Sequence, residues 1–448
     1  MSREKKYEID MCNGSIMDKL ISFALPLMLS GMLQLMFNAV DIVVVGRFSG
    51  SQSLAAVGAT TALIYLFTNL FIGISLGANV LAARYYAAGK HEEMSETVHT
   101  AMMFALISGI IMIFVGLFFS RLALEIMGTP SDVIDQATLY MRIYFLGMPF
   151  FMLYNYGAAI LRAVGDTKRP LIFLIISGVV NACLNMLLVI VFHLDVAGVA
   201  IATVTSQFIS CVLVIGCLYR TKSSYQLRFS RLKIRKEYLK PICQVGIPAG
   251  IQSTVINFSN ALLQSSVNSF GSTTMAGYTA ANNIFGFLYV SVNAITQACM
   301  SFTSQNYGLR KLKRMDKILM DCLILTVVVS LVLGGGVYLF GAEILRLYTE
   351  EAEVIRCGIE IFAYTTVTYF LCGIMDLFPG ALRGMDRSTV PMILSVIGTV
   401  GTRIVWVFWL FPAHRSLAFL FISYPASWLI TIVMQVICFY FVRRKVHG

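Results

Sequence analysis

The chain has 448 residues, 58% of them hydrophobic and only 13% charged, with a mean hydropathy of +0.78. Soluble domains carry about 25% charged residues, so this composition excludes a soluble globular protein and predicts a polytopic membrane protein. The net charge of +11 would suggest nucleic acid in a soluble chain. Here the basic residues sit between apolar runs, where the positive-inside rule accounts for them. No nucleic-acid partner is expected, and the lipid bilayer is.

The first 19 residues are polar, with Arg3, Lys5 and Lys6 and no small-residue cleavage motif, so the first span is expected to stay as a helix. That span, 18–46, is long enough to cross about 30 Å of hydrocarbon and contains one acid, Asp41. A carboxylate in lipid costs a few kcal/mol on insertion scales, of order 3 kcal/mol at mid-helix, so Asp41 should face protein or water. Gln34, Asn38 and Asp41 fall at i, i+4 and i+7 on one helical face. This stripe reads as the wall of a polar cavity.

Eleven further spans follow, at about 53–80, 97–119, 136–160, 170–192, 196–219, 242–269, 275–305, 318–341, 355–381, 389–411 and 417–442. Open sheet edges cannot lie in lipid, so long apolar runs must be helices. With the N-terminus inside, 27 Lys and Arg residues fall in inner segments and five in outer loops. This predicts both termini in the cytoplasm. The ten cysteines lie mostly within spans and form no CxxC pair, which argues against a disulfide framework or a metal site.

The chain repeats itself. Shifted by 222 residues, Pro26 falls on Pro248, Asn38 on Asn260, Phe48 on Phe270 and Tyr85 on Tyr307. Later, at a shift of 221, LRAVGDTKRP (161–170) aligns with LRGMDRSTVP (382–391). Each half holds six spans, an even number, so both enter the membrane in the same sense. The expected fold is all-α: twelve transmembrane helices in two pseudo-twofold-related six-helix bundles. The first is an N-lobe of residues 1–219, the second a C-lobe of 242–448, and the basic segment 220–241 links them.

Further polar residues inside spans extend the candidate list. Asn181 and Asn185 stand i, i+4 in an apolar span, and Asn155 sits at the repeat position of Asp376. Asn257, Asn260 and Gln264 run down one face of span 7, a polar stripe without an acid. Asp376 and Arg403 are opposite charges in one bundle, and intramembrane charges usually neutralise each other, so an ion pair between them is expected. Arg162 and Arg383 of the repeated motif read as headgroup anchors at helix ends. Pro26 and Pro248 permit matched kinks. No HExxH and no paired catalytic carboxylates occur in a span, so no enzyme activity is expected.

The ordered set Pro26–Asp41, SLAAVGAT (53–60), ILRAVGDTKRP (160–170), NACLN (181–185), GVAIAT (198–203) and ALRGMDRSTVP (381–391) resembles the MATE family, multidrug and toxic compound extrusion transporters of the MOP exporter superfamily. The resemblance spans the whole chain. It implies a V-shaped pair of lobes that alternates in access, and export of amphipathic, often cationic compounds driven by H⁺ or Na⁺ entry. It also implies a cation site at Asp41, Asn181, Asn185 and Thr203, with Asn155 as a further candidate and Na⁺ near Asp41 as the one metal ion to consider. Substrate would meet Gln34, Asn38, Asn257, Asn260, Gln264, Asp376 and Arg403. No cofactor beyond the coupling ion is implied; a monomer in the cell membrane is expected. Two positions depart from the family pattern. Asn185 stands where an aspartate is frequent, and span 7 lacks the acid of one subgroup, with Ile256 and Asn257 there instead. The alternative within transport is a flippase for lipid-linked saccharide. It would need a strongly cationic cavity, for which only Arg403 and Arg142 are available.

Overall fold

The computed structural model describes residues 7–447, so Arg3, Lys5 and Lys6 lie outside the described residues. The helices in chain order are α1 (Met17–Phe48), α2 (Gly50–Ala87), α3 (His91–Ile126), α4 (Ile134–Leu146), α5 (Met148–Ala163), α6 (Lys168–Asn185), α7 (Asp195–Arg220) and α8 (Lys236–Asn268). The second half continues with α9 (Ser272–Gly308), α10 (Leu312–Leu339), the short α11 (Gly341–Arg346), α12 (Ala352–Thr365), α13 (Tyr369–Gly384), α14 (Thr389–Ser395), α15 (Thr402–Val405) and α16 (Leu417–His447). No strand occurs among the described residues.

Among the described residues nine stretches are long and apolar enough to cross a membrane, and two more spans are bent helix pairs. The twelfth is α8, whose 33 residues rise roughly 50 Å but whose polar stripe lowers its hydropathy. The two bent pairs refine the expectation of single helices at 136–160 and 355–381. α4 and α5 meet at 48°, α12 and α13 at 51°. At the first break Gly147 is followed by Pro149 in the first turn of α5, and proline supplies no amide donor to the turn before it. At the second, the Thr365, Thr366 and Thr368 hydroxyls bond back to the carbonyls of Ile361, Phe362 and Tyr364 at 2.7–2.9 Å. Side-chain bonds of this kind compete with the helix ladder and bend it.

By contact the chain forms two units. One joins the residues up to Asp10 with Leu29–Gly250; the other joins Met11–Met28 with Ile251 onward. Both α1 and α8 therefore change unit partway along, at positions 28 and 250, which the 222-residue repeat shift relates. Pro26 and Pro248 each lie two residues before the change.

In the first unit, α3, α4, α5 and α7 enclose a core of Met94, Met102, Phe145, Met152, Tyr156 and Val214. The first half of α8 lies against α2 with almost no space between backbones. A Cβ on Gly73 would overlap the Gly250 backbone, one on Gly77 would overlap the Ile242 carbonyl, and one on Gly250 would stand 2.7 Å from Leu70 Cα. Such close packing of small residues lets dispersion hold helices together where lipid offers no hydrophobic drive. The basic segment after α7 folds onto the start of α3. His99 accepts from the Arg228 amide at 3.0 Å, and Arg231 bonds Glu92 at 3.2 Å. Residue 8 is gripped here too: Tyr86 and Tyr225 donate to the Glu8 carboxylate at 2.9 and 2.8 Å.

In the second unit, the first half of α1 packs on α9, with Phe23 edge-on to Phe302 at 5.6 Å between centroids. The segment before it is held through its backbone. Asn306 donates to Met11 O at 3.1 Å, Lys311 to Cys12 O at 2.9 Å, and Arg314 to Gly14 O at 3.0 Å. Tyr369, Tyr424 and Trp428 form an aromatic wedge between α13 and α16. Large apolar side chains such as Phe114, Phe118, Val332 and Val433 stay exposed, as a lipid-facing surface requires.

Candidate functional site

In the first unit three helices converge on Asp41. α1 carries the acid, α6 contributes Asn181 and Asn185, and α7 contributes Thr203. The Asn185 amide donates to Asp41 Oδ1, and also to Asn181 Oδ1 at 3.1 Å. Asn181 reaches Thr203 Oγ1 at 3.5 Å, and Thr203 is itself a hydrogen-bond partner of Asp41. Asn185 is fully buried and Asn181 nearly so. The Asn185 Oδ1 is buried with no hydrogen-bond partner. Directly after Asn185 the helix widens to a π-turn over Met186–Val191, a local irregularity frequent at functional sites. α6 approaches α1 closely because residue 178 is glycine: a Cβ there would overlap the Phe37 ring.

This cluster has more acceptors than donors. Two carboxylate oxygens, two amide oxygens and a hydroxyl oxygen meet the two amide groups of Asn181 and Asn185 and the Thr203 hydroxyl, and one buried amide oxygen, Asn185 Oδ1, is left without a partner. Chemically, such a set suits a proton on Asp41 or a small hard cation held by oxygens. Among the described residues no group of three His, Cys, Asp or Glu forms a conventional metal cluster.

The other positions are dispersed. Gln34 and Asn38 are exposed on α1. Asn155 donates to Phe151 O of its own helix at 2.8 Å. Asn257 is exposed on α8, and Asn260 and Gln264 are half-buried.

In the second unit the expected pairing of Asp376 with Arg403 does not form; no salt bridge joins them among the described residues. Arg403, 2% exposed, is occupied by neutral groups instead. Its Nη1 donates to Asn260 Oδ1 at 2.7 Å and to Ser259 at 3.4 Å, its Nε to Ser427 at 3.3 Å, and its guanidinium lies 4.6 Å from the Tyr424 ring centroid. The physical reason is register. Arg403 stands in a single turn of α-helix between two π-stretches, Val396–Gly401 and Trp406–Leu410, and the widened turns rotate its face toward α8 and α16. The cation whose field acts on Asp376 is Arg383, seven residues on in the same helix. Arg383 is buried and donates to Gln252 Oε1 at 2.6 Å, so it is an interior residue and not a headgroup anchor. Gln252, Ser259, Tyr424 and Ser427 were missed from sequence. Gln252 and Ser259 share a face of α8 with each other, seven residues apart, but not with the Asn257–Gln264 stripe, and Tyr424 falls at the repeat position of Thr203 at the 221 shift.

Comparison with known proteins agrees with this architecture. The MatE family model matches residues 26–187 and again 248–409, which is the internal repeat. Probable multidrug resistance protein YoeA of Bacillus subtilis is 28% identical over 434 residues, covering 94% of this chain and 93% of that protein. Multidrug export protein MepA of Staphylococcus aureus is 21% identical, covering 89% and 87%. A solved structure described as an outward-facing conformation of a multidrug resistance MATE family transporter of the MOP superfamily superposes with a TM-score of 0.88 at 20% identity, over 98% of this chain and 97% of that one. With the family model matched twice, over most of its length and at the repeat's own spacing, this membrane protein belongs to the MatE family of transporters.

Proposed function

We propose that the protein is a secondary-active multidrug exporter that exchanges an amphipathic, cationic organic compound for H⁺ or Na⁺. Asp41 is the coupling group. Asn181, Asn185 and Thr203 complete the cation site, and Asn155 lies on a neighbouring helix of the same unit. Substrate meets the polar faces of α1 and α8, at Gln34, Asn38, Asn257, Asn260 and Gln264, with Asp376 and Arg403 as the charges of the second unit. The two six-span repeats, 1–219 and 242–448, act as lobes in alternating access. The protein works as a monomer in the cell membrane with both termini in the cytoplasm. YoeA and MepA, named for multidrug resistance and multidrug export, support the substrate class.

The observation that carries the coupling reading is the buried, unpartnered Asn185 Oδ1 beside the Asp41 carboxylate. An acceptor-rich pocket in hydrocarbon is costly until a proton or cation enters it. Binding there lowers the energy of one conformation relative to another, and that difference is all a coupling ion needs in order to drive a cycle. The test is dye efflux from proteoliposomes under imposed pH or Na⁺ gradients. Asp41→Asn should cut gradient-driven efflux by about 5- to 150-fold, the scale of losing a coupling free energy of about 1–3 kcal/mol. An Asp41→Asn protein that pumps like the parent under both gradients would remove the assignment.

A further inference from the structure

The junction of α8, α15 and α16 in the second unit is the repeat counterpart of the Asp41 junction of α1, α6 and α7. At the 222-residue offset Asn38 maps to Asn260 and Asp41 to Leu263, and at the 221-residue offset of the later motifs Asn181 maps to Thr402, the chain neighbour of Arg403. Thr203 maps to within one residue of Tyr424. The π-stretch Met186–Val191 maps onto residues that overlap Trp406–Leu410. The same three helix positions therefore meet in both units, with the same helical irregularity beside them.

Their charges differ in a regular way. The first junction has an acid and a surplus of acceptors, one of them buried and unpartnered. In the second, the acid has become Leu263, 1% exposed and part of an apolar cluster. Beside the counterpart of Asn181 stands Arg403, and the counterpart of Asn185, the amide that serves Asp41, is Trp406. The remaining acceptors there all turn to the guanidinium: Asn260 Oδ1, the Ser259 and Ser427 hydroxyls, and the face of Tyr424. Asp376 stands apart, under the field of Arg383.

We propose that Arg403 is a resident cation: its guanidinium occupies permanently, in the second repeat, the place that the coupling cation enters and leaves in the first. The second junction is thereby always in its loaded arrangement, with α15 tied to α8 and α16, and does not exchange an ion. Only the first unit's junction loads and empties in each cycle. Arg403 acts as a positioning residue here, since its charge holds Asn260 and the polar face of α8 in place. This inference rests on the reading of Asp41 as the coupling group.

A positive charge at position 403 should then matter more than the exact shape that carries it. Reconstituted full-length protein is assayed for downhill flux, with no imposed ion gradient, of the dye that the parent exports. Arg403→Lys should keep at least about half the parental flux. The neutral Arg403→Met, similar in length, should lose at least about tenfold, because the acceptors around it lose their cation. Arg403→Ala should fall as far and recover when millimolar guanidinium chloride refills the vacated space. Parental flux in Arg403→Met overturns the proposal. So does an Arg403→Lys variant as inactive as Arg403→Met with no guanidinium recovery in Arg403→Ala, since the requirement would then be for shape and not for charge. Size-exclusion profiles in detergent report folding, and where Arg403→Ala does not fold, the comparison of Lys with Met decides. Failure of the coupling reading appears elsewhere, as gradient-driven flux retained in Asp41→Asn, and leaves these downhill measurements interpretable.

Discussion

The two halves repeat their helices closely but not their charges. α1 and α8 change unit at residues 222 apart, each just after a proline. Spans four and ten break at nearly the same angle, 48° and 51°. At the matching three-helix junctions, one unit holds a carboxylate among amides and a hydroxyl while the other holds a guanidinium among hydroxyls and an amide oxygen. Packing geometry is constrained everywhere along a helix, because each turn touches several others. Charge placement is set by single residues and can differ between repeats without disturbing the bundle. Any asymmetry of ion handling must therefore be sought in those few residues.

The strongest way to break this contrast is at Asn185. If its buried amide completes the first junction, Asn185→Leu removes both the donor to Asp41 and the unpartnered oxygen. Efflux driven by an ion gradient should fall roughly 10- to 100-fold, the loss that accompanies removal of a buried polar partner worth about 1.5–3 kcal/mol. Asn185→Asp adds a second carboxylate and should steepen the dependence of transport on the driving cation. Both are read in proteoliposomes as rate against cation concentration. Parental behaviour of Asn185→Leu would leave the junction as helix packing only.

A smaller effect sharpens the second unit. Asp376 and Arg383 stand seven residues apart on α13, two turns and about 10 Å of rise. At an effective dielectric near 20, such a pair interacts by roughly 1–2 kcal/mol. A double-mutant cycle with Asp376→Asn and Arg383→Gln, followed by thermal unfolding in detergent, should return a coupling of that size. The same cycle with Arg403→Gln in place of Arg383→Gln should return close to zero. The reverse ranking would restore the ion pair read from sequence.

That misreading shows where sequence reasoning stops. The spans, the repeat and the polar stripes were legible because hydropathy and period are properties of long segments. The grouping of Asp41 with Asn181, Asn185 and Thr203 came from family motifs, and the structure brings the four together. The partner of Arg403 was not legible. Two oppositely charged residues in one bundle suggest a pair, but π-stretches on either side of Arg403 turn its face in a way that a 3.6-residue period does not follow. The broken helices were missed for a related reason. The Thr365–Thr368 break depends on hydroxyls bonding backward to carbonyls, and that competition leaves no mark on hydropathy. Arg383 read as a surface anchor because it follows a span, yet its Gln252 partner draws it inside.

The smallest predicted effect concerns how each unit holds the segment before α1. In the second unit that segment is held by cations on backbone carbonyls, from Lys311 and Arg314. In the first it is held by two phenols on one carboxylate, from Tyr86 and Tyr225 to Glu8. The first grip needs the phenols protonated, and the second does not depend on them. Burial, reinforced by the Glu8 charge, pushes the Tyr225 phenol up to about 12. A group whose folded pKa is raised contributes stability that is complete below its unfolded value near 10 and is lost as pH rises through the folded value. The parent should therefore lose stability between pH of about 10 and about 12. Tyr225→Phe should be less stable at neutral pH by about 1 kcal/mol for the lost bond, because Tyr86 still holds Glu8. It should also show a shallower alkaline decline. Tryptophan-monitored unfolding in detergent across that range measures both. An unchanged alkaline slope in Tyr225→Phe would mean that Glu8 is held by Tyr86 alone, and that the two grips differ less than the hydrogen bonds suggest.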